Sequence, residues 1–317
     1  MTESSSTVVV TGGAGFIGSH VCQAYLDTGW QVIALDNLSS GKASNVPDGV
    51  EFVEMDIRSD QLLGFVKDRR PALVNHHAAQ IDVRLSVADS RLDASINVDG
   101  WLNVLEAARA AAVERVVYVS SGGVVYGEPD QLPTGETAPK APISPYGVSK
   151  LTGEHYLFYF RKVHGLEGVA LRYSNVYGPR QDPHGEAGVI ALFSRRLLDG
   201  RALTIFGDGE QTRDYVYVGD VAAANLAVSA WPLPDPETID DVAFNVATGV
   251  EASVRRLAET LLKVSDRHAD VEFAPARPGE LLRSALDTAR LRAVGWAPEV
   301  DLDEGLRRTY EYIAEHL

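Results

Sequence analysis

The sequence predicts a doubly wound α/β fold, in which helices cover both faces of a parallel sheet, with a smaller C-terminal α/β cap. Three observations predict it. Short apolar, β-branched stretches alternate with amphipathic helical ones through the first half of the chain. The first such strand runs straight into a glycine-punctuated turn, TGGAGFIGSH, residues 11–20. The second strand ends on an acid, Asp36.

Taken in order, TVVVT at residues 7–11 is apolar and β-branched, which suits a strand buried on both faces. Residues 16–26 have helical apolar spacing, and Gly29 follows as a stop signal. Residues 31–35 form a second strand that delivers Asp36, and residues 51–55 a third that delivers Asp56. Residues 72–77 make another strand, and a helix over 94–112 precedes a strand at 115–120. In such a sheet ligands gather at the carboxyl ends of the strands. Asp36, Asp56, His77 and Ser120 all stand at those ends. From about Tyr173 the rhythm changes, with longer loops at Gly178-Pro179-Arg180 and 182–186 and a proline-rich excursion at 232–236. The expected division is therefore residues 1–172, plus roughly 211–231, for the large domain, and roughly 173–210 with 232–317 for the cap.

The chain has 317 residues, enough for one large domain and a smaller one. Its formal charge of −15 repels nucleic-acid phosphates, so nucleic acid is not an expected partner. No apolar run approaches the roughly 18 residues of a membrane span. The opening MTESSS lacks the basic start and apolar stretch of a secretion signal. Cys22 is the single cysteine, so no intrachain disulfide forms. Together these favour a reducing cytoplasm.

Strand, glycine turn, helix, strand and acid make a dinucleotide site. Gly12 and Gly15 permit a tight turn and a close approach of a diphosphate, and Gly18 lets the helix lie against the strand. The diphosphate then rests on the free N–H groups at the positive end of the helix. Asp36 can accept hydrogen bonds from a ribose diol and would repel a 2′-phosphate, which favours NAD over NADP.

SPYGVSK, residues 144–150, places Tyr146 and Lys150 four apart, on one face of a helix. A free phenol titrates near pH ~10, so making it a base near neutrality takes about 4 kcal/mol of preference for the phenolate. A fixed ammonium and a cationic nicotinamide act in that direction. His76 and His77 suggest a metal, but adjacent strand residues point to opposite faces, and none is expected.

TGGAGFIGSH, DNLSSG, HHAAQIDVRLSV, VSSGGVVYG, SPYGVSK, LRYSNVYGPRQDPHGEAG and IFGDGEQTRDYVYVGDVA resemble the extended short-chain dehydrogenase/reductases. Within them the chain is similar to nucleotide-sugar 4-epimerases of the UDP-glucose 4-epimerase type, from Thr7 to about Trp296. The resemblance implies a Rossmann domain, NAD as a recycled cofactor, and transient oxidation at C4 of a UDP-sugar with return to the opposite face. It implies Tyr146 as acid/base and Lys150 as its charged neighbour. A family hydroxyl belongs four residues before Tyr126, and Gly122 stands there; Ser121, Ser120 or a water would replace it, Ser121 being favoured. Val124 stands directly before Val125-Tyr126-Gly127, where related dehydratases and decarboxylases carry an acid, which points to epimerisation.

The cofactor residues carried over are Gly12, Gly15, Phe16, Ile17, Asp36 and Asn37 along the first two strands, then Asp56 and Ile57 at the adenine. Ala78 and Ala79 would run along the diphosphate-to-nicotinamide stretch, with Asn97, Tyr146, Lys150 and Tyr173 completing the set. On the sugar-nucleotide side, Asn175 would meet the diphosphate and Gly188 with Val189 the nucleotide. Arg213 and Arg277 would clamp the phosphates, as guanidinium forks do, and Glu280 would reach the ribose. Ser284, small where relatives can carry a bulky aromatic, implies a pocket open to UDP-GlcNAc and UDP-GalNAc as well. Arg84 lies either near the sugar or on a surface loop. Relatives pair as homodimers through two helices, here those at 94–112 and 149–163. Epimerisation of UDP-glucuronate or of a dTDP-, GDP- or CDP-sugar is the alternative reading, and a non-catalytic NAD-binding sensor is the alternative of another class.

Overall fold

The computed structural model describes residues 6–183, 188–276 and 281–316. Strand β1 (Thr7–Thr11) is buried on both faces, and its valines alternate between two cores. Val8 and Val10 join the cluster under one helical layer and Val9 the cluster under the other. Helix α1 (Phe16–Asp27) returns the chain to β2 (Gln31–Asp36), which runs parallel to β1. Strand β3 (Glu51–Glu54) adds outside β2, and after α2 (Leu62–Arg69) the chain crosses to the other side of β1 as β4 (Leu73–His76). That reversal between β1 and β4 opens the crevice in which doubly wound sheets hold their ligands.

Helices α3 (Val83–Ala88), α4 (Ser90–Ala94) and α5 (Gly100–Ala110) follow. A π-helical turn, Ser95–Asp99, joins the last two, so the single helix expected over 94–112 is a longer, interrupted one. Such turns recur at functional sites. Strand β5 (Arg115–Ser121) pairs with β4, and α6 (Pro145–His164) packs beside it. Helix α6 has strong boundary signals. Ser144 accepts a hydrogen bond from the Gly147 N–H, Pro145 opens the first turn, Arg161, Lys162 and His164 fill the last, and Gly165 ends it at φ +70°.

After β6 (Glu167–Tyr173), β7 (Asn175–Tyr177), α7 (Val189–Leu198), β8 (Leu203–Phe206) and β9 (Thr212–Tyr217) begin the cap. Helix α8 (Val218–Ser229) goes back under the large sheet against α1, and β10 (Ala243–Val246) pairs with β6. Strand β11 (Glu251–Ser253), α9 (Val254–Val264), β12 (Val271–Ala274), α10 (Ala289–Ala293) and α11 (Leu302–His316) finish the chain. The large sheet has seven parallel strands in the order β10-β6-β5-β4-β1-β2-β3. Two expectations change. Residues 243–246, expected in the cap, form an edge of the large sheet. Residues 212–217, expected with the large domain, pair with β7 and β11 in a three-stranded sheet of the cap. In both cases local composition reads as strand, while long-range pairing chooses the sheet.

Helices α1 and α8 cover one face of the large sheet and α2, α5 and α6 the other. A third core, built from α7, β8, β9, α9 and α11, holds the cap. Among the described residues no helix is long and apolar enough to cross a membrane.

Candidate active site

The glycine turn between β1 and α1 is shaped as the sequence requires. Gly12 takes φ +70°, and a Cβ there would lie 2.7 Å from the Ala78 backbone nitrogen. A Cβ on Gly18 would lie 2.1 Å from the Gly12 carbonyl oxygen, so only glycine lets α1 sit this close to the turn. Gly15 is the N-cap of α1, and no side chain caps the helix or places an acid in its first turn. The first N–H groups, those of Phe16 and Ile17, are thus left for an anion. Asp36 is buried at the end of β2, accepting from the Ala14 and Leu38 N–H groups at 3.1 and 2.8 Å. These two bonds fix its carboxylate at the edge of the crevice. The uncapped helix end, the glycine cradle and the oriented acid fit a dinucleotide.

The flanking residues divide into those that line this crevice and those that hold its walls. Asn37 donates to Asp56 at 2.9 Å, and the Arg58 guanidinium, gripping Asp56, holds that carboxyl well below the usual carboxylate range. Ile57 is buried against Gly100. Ala78 and Ala79 follow β4 in the loop that lies on Gly12. Asn97, on the π turn, has its amide fully engaged. It accepts from the Gln80 N–H at 2.9 Å and donates to the Gln80 carbonyl and to Asp93, at 2.9 and 3.0 Å. Its part is to brace the loop. His76 and His77 diverge as strand neighbours do. The His76 ring bonds Thr11 at 2.8 Å and stacks on Trp101, while His77 faces Tyr173. Burial pushes the His77 imidazole down to about 3. Tyr173 is buried, and its hydroxyl accepts from Asn225 at 2.7 Å.

Tyr146 and Lys150 lie one turn apart on α6, where the end of β5 meets them. The Lys150 ammonium donates to the Val119 carbonyl at 2.9 Å and stands 5.8 Å from the centre of the Tyr146 ring. Burial brings Lys150 down to about 8, against the pull of the Asp93 carboxylate. Burial pushes the Tyr146 phenol up, Asp93 pushes it further, and the nearby Ser121 hydroxyl works the other way. Of the two serines that end β5, Ser121 is the one whose hydroxyl acts on Tyr146. Ser120 is turned away, donating at 2.5 Å to Glu154, whose carboxylate is also held by the buried Arg172. Gly122 is backed by Leu286, whose Cδ1 would be 2.4 Å from a Cβ there.

On the cap side, Asn175 is exposed on β7, and Gly188 with Val189 opens α7 beside Gln181. Arg213 lies on β9, half-buried, with one guanidinium nitrogen on the Thr212 carbonyl at 2.8 Å. Ser284 is buried two residues before Leu286. Arg277 and Glu280 lie outside the described residues. Arg84 falls in the first turn of α3, on its exposed side. The sequence reading missed several polar groups here. The buried Ser174 Oγ, Arg180 Nη1, Gln181 Oε1 and His77 Nε2 have no hydrogen-bond partner among the described residues. Gly178-Pro179-Arg180-Gln181 was legible only as a loop. The signal that it belongs to the site is the His20 ring on α1, which bonds the Pro179 carbonyl at 2.9 Å and draws the turn over the dinucleotide helix.

Comparison with known proteins gives one consistent result. The profile of the family described as NAD dependent epimerase/dehydratase matches residues 8–247. The chain is 46% identical over 310 residues to a UDP-glucose 4-epimerase of Mycolicibacterium smegmatis, covering 96% of this chain and 97% of that protein. It resembles the crystal structure of a Thermotoga maritima UDP-glucose 4-epimerase with UDP-glucose, at a TM-score of 0.93 and 42% identity, over 98% of this chain and 99% of that one. It also resembles a Thermus thermophilus UDP-glucose 4-epimerase in complex with NAD, at a TM-score of 0.90 and 44% identity, over 98% of this chain and 100% of that one.

Proposed function

The chain belongs to the NAD dependent epimerase/dehydratase family, and from that membership we propose that it interconverts UDP-glucose and UDP-galactose at C4. It is an NAD-using epimerase with a Rossmann domain and a sugar-nucleotide cap. One observation carries the reading: Tyr146, Lys150 and Ser121 gather at the carboxyl end of β5, two strands from the β1 end where the glycine turn begins.

When bound, NAD supplies reversible hydride acceptance at C4 of the sugar. Tyr146 takes the proton of the 4-hydroxyl and later returns it. Ser121, whose hydroxyl acts on the phenol against burial, would orient that proton. Lys150, tied to the Val119 carbonyl, holds its charge beside the Tyr146 ring. Burial and Asp93 outweigh Ser121 at the phenol, so its drop toward neutrality depends on the pyridinium charge as well as on the lysine. Arg213, with Arg277, anchors the diphosphate while the sugar turns. That division, a fixed nucleotide and a loose hexose, is what return to the opposite face requires.

The small buried Ser284 supports a second substrate pair, UDP-GlcNAc and UDP-GalNAc. The exposed Val148, Tyr159 and Val163 along α6 support pairing of two copies through α5 and α6, and the lone buried Cys22 suits a reducing cytoplasm. The test is conversion of UDP-galactose by the purified protein without added NAD, alongside UDP-GalNAc, UDP-glucuronate and dTDP-, GDP- and CDP-hexoses. UDP-hexose turnover that disappears in Tyr146→Phe, with NAD still extractable from that variant, supports the reading. Turnover of UDP-glucuronate or of a non-uridine sugar alone overturns it. NAD-loaded protein that leaves every sugar unchanged makes it a sensor.

A further inference from the structure

Asp93 is a carboxylate that acts on both Tyr146 and Lys150 and that the mechanism above does not use. It sits on α4 with no exposed surface. One oxygen accepts from Asn97 at 3.0 Å and from Gln80 at 3.1 Å; the other accepts from the Ser149 hydroxyl at 2.5 Å. Gln80 belongs to the loop after β4 that carries Ala78 and Ala79, and Ser149 precedes Lys150 on α6. A single buried anion therefore joins the wall of the dinucleotide crevice to the helix that carries the acid/base. Ser86 adds a parallel tie, its hydroxyl accepting from the Tyr146 N–H at 3.2 Å. A fully buried carboxylate is costly unless its oxygens are satisfied and its charge is balanced. Three donors satisfy this one, and the balancing charge beside it is the ammonium of Lys150.

We propose that Asp93 is a positioning residue of the epimerase reaction: it seats α6 against the cofactor loop through Ser149 and balances the charge of Lys150. The inference rests on the reading under Proposed function and adds a residue to it. The titratable groups that face Asp93 are Tyr146 and Lys150 from α6 and Tyr118 from β5. Lys150 in turn faces His76 and His77, and Tyr118 faces Glu154. The negative charge raises both Lys150 and Tyr146. Its removal moves both titrations to lower pH.

Asp93→Asn isolates the charge. The amide oxygen can go on accepting from Gln80 and Asn97, and the amide nitrogen can donate to Ser149 once that hydroxyl turns round. Ser149→Ala isolates the tether, because the charge stays. The measurements are the pH dependence of kcat/KM for UDP-galactose and the NAD released per chain on acid treatment. Asp93→Asn is expected to keep its NAD and to move both limbs of the profile down by about one pH unit. Ser149→Ala is expected to lose about tenfold in kcat with the limbs in place. An unmoved profile in Asp93→Asn, or full kcat in Ser149→Ala, overturns the proposal. If Asp93→Asn does not fold, Ser149→Ala decides. Wild-type protein that turns over no UDP-sugar sinks the parent reading instead, which keeps the two failures apart.

Discussion

Leu286 fills the space that a side chain at Gly122 would need: its Cδ1 is 2.4 Å, and its Cδ2 3.2 Å, from a Cβ built there. The departure from the family hydroxyl at this position is therefore a packing exchange with a leucine that bridges to Thr134 and is itself buried. Reinstating the hydroxyl as Gly122→Ser forces Leu286 out of place. Overpacking of this kind destabilises by about 1–3 kcal/mol. A urea midpoint lowered by that amount, with no gain in epimerase activity, is the expected result. A Gly122→Ser protein as stable as its parent and faster would show that Leu286 yields freely.

Ser120 and Ser121 are neighbours with opposite duties, and two single substitutions separate them. Ser121→Ala removes the hydroxyl that acts on Tyr146 and is expected to lower kcat by about 10- to 100-fold with little change in the urea midpoint. Ser120→Ala removes the bond to Glu154 and leaves the buried Glu154–Arg172 pair one donor short. Its expected signature is the reverse, a stability loss of about 1.5–3 kcal/mol with near-normal kcat at low temperature. Swapped signatures would reassign the catalytic hydroxyl to Ser120.

What the sequence made legible is what lies close along the chain. Tyr146 and Lys150 are four residues apart, and Gly12 to Asp36 is one strand-helix-strand unit, so periodicity and turn chemistry suffice. The choice between Ser120 and Ser121 was open because it depends on which of them finds Glu154, 34 residues away. Asp93 was invisible because its meaning comes from Ser149, 56 residues along. Leu286 against Gly122 is a contact of the same long-range kind. Residues 212–217 and 243–246 were placed only by a rough domain division and pair in the opposite sheets, since a short apolar run names its partner only through the fold around it.

Gly12 and Gly29 both adopt positive φ, +70° and +86°, yet they do so for different reasons. A Cβ on Gly29 meets nothing within 4 Å, whereas on Gly12 it lies 2.7 Å from the Ala78 backbone nitrogen. Gly29→Ala is expected to cost about 1 kcal/mol in stability, with NAD content unchanged. Gly12→Ala must also push the cofactor loop away, and it is expected to lose at least about tenfold in NAD bound per chain. NAD released by acid and read against protein concentration decides the matter. Full NAD in Gly12→Ala would mean that the turn tolerates the side chain and that the loop at Ala78 is not its lid.

Lys150 makes the site costly to fold, and the pH dependence of stability reports how costly. Burial lowers its amine from 10.5 to about 8. Below pH 8 both the folded and the unfolded chain hold the proton, and the folded state bears the full penalty of about 3 kcal/mol. Between pH 8 and 10.5 the unfolded chain holds a proton that the folded chain has shed, so stability rises with pH through that window. Lys150→Met abolishes the penalty. In protein freed of NAD, this variant is expected to be inactive yet more stable than the parent at pH 7, by up to about 3 kcal/mol. The gap should close as the pH approaches 10, before Tyr146, which burial pushes up, begins to matter. Urea denaturation at pH 7, 8.5 and 10 measures it. A constant difference across the three would show that the ammonium is not held in a desolvated site, and would remove the electrostatic strain on which the acid/base pair depends.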